Sequence, residues 1–161
     1  MSKQTDYTSE EWRTIASAPV LAGLLVSISD LSGPIGMAKE AFTVVKTITD
    51  TAATSTNELI KAVAEDIRSR GGKPELPSMP QDRPAVSKML IDRCQEAVDL
   101  VATKSPAEAE EYKRWLLSLA QKTAEASKEG GFLGMGGTRV SDEESRAVDN
   151  LASALGMSAK A

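Results

Sequence analysis

The hydrophobic pattern is densest at Pro19-Val-Leu-Ala-Gly-Leu-Leu-Val-Ser-Ile-Ser-Asp-Leu31. Placed on a helix, Val20, Leu21, Leu24, Leu25, Val26, Ile28 and Leu31 point all round the axis, and a helix that is apolar on every side is buried on every side. Thirteen helical residues rise about 20 Å, against about 30 Å of bilayer hydrocarbon. The stretch therefore predicts the central rod of a helical core, with a membrane-surface or partner-binding segment as the alternative.

The remaining chain repeats the helical period. Thr8 and Glu11 form a capping-box pair, opening a short helix through Trp12, Ile15 and Ala16. Proline breaks a helix at its middle and suits a first turn, so this helix is expected to end near Ser17. A second then starts at Ala18 or Pro19 and stops at Ser32-Gly33. Pro34 opens the next, with a stripe at Ala38, Ala41, Phe42, Val45 and Ile48 and an end near Asp50 to Ala53, where Thr and Ser accumulate. Ser55 and Glu58 suggest another capping box ahead of Leu59, Ile60, Val63 and Ile67, and Gly71 ends that helix.

From Pro84, Val86, Leu90, Cys94, Ala97, Val98 and Val101 make one stripe. Ser105, Pro106 and Glu108 combine an N-cap, a first-turn proline and a capping box. The helix they open carries Ala109, Tyr112, Leu116, Leu119, Ala120, Thr123 and Ala124, with Trp115 at its edge, and runs to Glu129. Ser141 and Glu144 cap a last helix through Ala147, Val148, Leu151, Ala152 and Leu155, closed by Gly156. No stretch alternates with period two. The fold expected is all-α, a single compact bundle of six or seven helices over residues 8–156.

Residues 71–84 carry Gly71, Gly72, Pro74, Pro77, Pro80 and Pro84 and read as an extended, semi-rigid connector. It divides a half at 8–70 from a half at 85–156, and neither offers much core alone, so the two are expected to pack together. Gly33-Pro-Ile-Gly-Met37 and Gly131-Phe-Leu-Gly-Met135 share one pattern. Either an internal duplication of two helix–loop–helix units or coincidence accounts for it.

Composition narrows the chemistry. Aromatic residues are 4% of the chain, so the core is aliphatic, which suits helix-on-helix packing. The net charge is −4 with no basic cluster, which argues against nucleic acid and anionic lipid. One cysteine and no histidine argue against disulfides, zinc and His-assisted nucleophiles. The cysteine usage, and a beginning without basic or apolar leader regions, favour a cytoplasmic setting. Cys94 falls on a buried stripe, where a thiol is packing. No catalytic residue is assigned and no cofactor is expected.

The glycine segment at 130–137 lacks both the lysine of a phosphate-binding loop and a preceding strand. Its glycines allow tight packing that would plug Phe132, Leu133 and Met135 into the core. The alternative is that these side chains are exposed and dock a partner or a membrane surface. Carboxylates suit hard divalent cations, and Asp142 and Glu143 stand near Glu129 across the loop, but acids at a helix N-terminus are also what the macrodipole favours.

The run Lys128-Glu-Gly-Gly-Phe-Leu-Gly-Met-Gly-Gly-Thr-Arg-Val-Ser-Asp-Glu-Glu144 resembles the C-terminal signature of a bacterial family of uncharacterised small helical proteins. The regions of Ala18-Pro19 and Lys39-Glu40 share that family's character. The closing helix–loop–helix more distantly resembles the tellurite-resistance TerB-like fold, an all-helical domain with an internal repeat and acidic loops linked to divalent metal. Ser141, Glu143 and Glu144 match it, while glycine-rich apolar sequence replaces its Asp-Gly pair. The expectation is a non-enzymatic helical protein that binds a protein partner through Gly131, Phe132, Leu133, Gly134, Met135, Gly136 and Gly137. The alternatives are a TerB-like divalent-cation binder using Glu129, Asp142 and Glu143, and a peripheral membrane protein using the same loop.

Overall fold

Helix α1, Ser9–Ser27, packs against every other α-helix among the described residues. The others are α2 (Gly33–Ala53), α3 (Glu58–Ser69), α4 (Arg83–Lys104), α5 (Pro106–Glu129) and α6 (Asp142–Ala154). The computed structural model describes residues 4–29, 33–71, 77–129 and 140–158, without the side chains of 33–42 and 127–129. Among the described residues there is no strand. The all-helical bundle expected from the hydrophobic pattern is thus the observed architecture.

As far as Ser27 the apolar run behaves as its pattern requires, while Ile28 is half-buried and Leu31 lies outside the described residues. Ala18 through Gly23 and Leu25 through Ser27 are buried, and Leu24 is half-buried. Around them Ile15, Ile48, Leu59, Leu90, Tyr112, Leu116 and Leu151 complete one hydrophobic core. The densest pairing, α1 with α4, joins the two sides of the proline-rich connector.

Pro19 does not divide this helix, contrary to the expected break at Ser17 and restart at Ala18 or Pro19. It lies inside a continuous α1. A proline removes the N–H that would bond the carbonyl four residues earlier, here that of Ile15. The Tyr112 hydroxyl, from α5, donates to that carbonyl at 2.7 Å, out of contact with water. The donor lost within the helix is replaced from a neighbour distant in sequence, and the rod continues.

Three other boundaries move. α1 stops at Ser27 with Ile28 as C-cap, before the expected Ser32-Gly33. Asn57, not Ser55, caps α3: its Oδ1 accepts the Ile60 N–H, while Ser55 Oγ accepts the Asn57 N–H. Gly33 to Met37 lie in the first turns of α2 rather than in a loop, and the second copy of that pattern, 131–135, lies outside the described residues. The capping boxes at Thr8–Glu11 and Ser141–Glu144 form with both reciprocal bonds. Gly71 and Gly156, at φ 69° and 67°, occupy the left-handed region that ends helices.

Gly23 sets the distance between α1 and α2. A Cβ built there would lie 2.6 Å from both methyls of Val44, so only glycine allows this close approach.

Candidate functional site

Several of the polar groups that the fold buries join helices to one another. Tyr112 is fully buried and tied to α1. Burial pushes its phenol well above the usual tyrosine range. Trp115 stands one turn further along α5, the two rings 6.0 Å apart, and its Nε1–H donates to Thr51 Oγ1 of α2 at 2.8 Å. The sequence placed Trp115 at the edge of the core; both rings lie in the interior. Cys94 is also sealed, its thiol pushed up to about 12 by desolvation, and its sulfur lies 3.6 Å from the Ala18 carbonyl it donates to. A thiol held in that state is a poor nucleophile.

A second cluster fastens the start of the chain to the α4–α5 junction. Tyr7 Oη and Ser105 Oγ share a hydrogen bond of 2.6 Å. Lys104 reaches Glu11 at 2.6 Å and sits 5.8 Å from the centre of the Tyr7 ring. Lys104, with help from the Thr8 backbone N–H, holds the Glu11 carboxyl below the usual carboxylate range. Tyr7 and Trp12 rings lie 6.0 Å apart, at the positions of a hydrophobic staple around the Thr8 cap. That spacing was a readable signal: an aromatic before the cap and another four residues after it. The pairing with Ser105, 98 residues away, had none.

A third cluster orients α3. Glu108 Oε1 accepts the Leu59 N–H, Asn57 Nδ2 donates to the Glu108 carbonyl, and Ser55 Oγ donates to Glu111. A carboxylate from α5 thus meets the electropositive start of α3. Glu108 and Ser105, the pair expected to cap α5, also reach other parts of the fold.

The candidate docking residues Gly131, Phe132, Leu133, Gly134, Met135, Gly136 and Gly137 lie outside the described residues, as does the side chain of Glu129. Asp142 and Glu143 are exposed in the first turn of α6, while Glu144 is buried in its capping box. Among the described residues no three carboxylate or cysteine side chains come together as a metal site.

No family model, curated protein or solved structure matches this chain. The bacterial-family and TerB-like resemblances therefore rest on the residues quoted above. Among the described residues no helix is long and apolar enough to cross a membrane.

An open groove of about 520 Å³ lies between the start of α1 and the outer face of α4. Its walls include Glu11, Asp92, Glu96, Asp99 and Lys104. Asp92 is paired with Lys88 and Glu96 with Arg93, so most of its negative charge is balanced within the chain.

Proposed function

We propose that this protein is a non-enzymatic helical interaction module that binds a protein partner through the segment Gly131 to Gly137. The observation that supports this reading is the polarity of the described surface. Among the described residues Met79, at 38% exposure, is the one exposed large hydrophobic side chain. Docking between proteins centres on apolar and aromatic anchors, and the sequence concentrates Phe132, Leu133 and Met135 between glycines in that segment. The buried Cys94 and Tyr112 hold helices together, which is consistent with a scaffold role.

The test replaces Phe132 and Leu133 with serine and compares capture from lysate of the native cell. The expected result is a folded protein, by circular dichroism and melting temperature, that no longer retains a partner held by the unsubstituted chain. A folded variant that still retains it, or a variant that unfolds, overturns the proposal. Unfolding would mean that the two side chains belong to the core.

A further inference from the structure

We draw no further inference here: the strongest candidate, the open groove between α1 and α4, is an acidic cluster whose Glu11, Asp92 and Glu96 are already paired with Lys104, Lys88 and Arg93, and nothing in the structure points to a ligand there.

Discussion

At the scale of single residues, the fold turns on the exchange between Pro19, Ile15 and Tyr112. The Tyr112 hydroxyl does for the Ile15 carbonyl what the missing Pro19 N–H cannot. Replacing Tyr112 with Phe keeps the ring but leaves a buried carbonyl unsatisfied, at a cost of about 1–3 kcal/mol. Urea denaturation should show a lower midpoint with an unchanged slope. Pro19→Ala gives α1 its own donor, so Tyr112→Phe in that background should cost less than in the parent. Strictly additive losses would show that the two groups do not substitute for each other. The burial of Tyr112 was legible from its place on an apolar stripe. Its bond to Ile15, 97 residues away, was not, because a helical period reports which face is buried and not what meets it.

At the scale of elements, the closeness of α1 and α2 rests on Gly23. Gly23→Ala should destabilise by about 1–3 kcal/mol, the usual cost of overpacking, because the new methyl meets both Val44 methyls. Val44→Ala makes room for it, so the double variant should lose less than the sum of the single losses in the same denaturation experiment. Equal sums would place the strain elsewhere. Helix starts with a reciprocal polar pair, Thr8–Glu11 and Ser141–Glu144, were legible because the whole motif is local. The starts at Asn57 and Asp82 each rest on one side chain, and Ser55-x-x-Glu58 offered a competing pattern for the first. Pro19 misled for a related reason. The rule that proline ends a helix is a statement about local hydrogen bonds, and here the compensation is tertiary.

At the scale of the whole molecule, the pH dependence of stability follows from its charges. The Glu11 carboxyl is held low by Lys104, and Glu65 and Glu110 are held low by Arg68 and Lys113. A carboxyl whose pKa is lower folded than unfolded adds stability above its unfolded value. That contribution fades as the pH falls through the folded value. With no histidine in the chain, the thermal midpoint should stay nearly flat from about pH 5 to 8 and fall below about pH 4. Lys104→Met should reduce the acid-side loss and leave the neutral plateau flat. A midpoint that instead declines steadily through neutral pH would require titrating groups the carboxylates do not supply. Glu65 and Glu110 are exposed and Glu11 is half-buried at the surface, so each effect is small.

The bundle itself was legible because six helical stripes need only the period of apolar residues. The candidate docking segment was legible only as composition: its glycines and apolar residues carry no period that fixes a contact. The central claim is that α1 is the sealed axis on which the other helices pack. Native-state hydrogen exchange of the backbone amides at residues 20–26 tests it most directly. Those amides should exchange only through global unfolding, with an opening free energy equal to that from denaturation. Exchange as fast as that of the exposed residues 78–82 would contradict it.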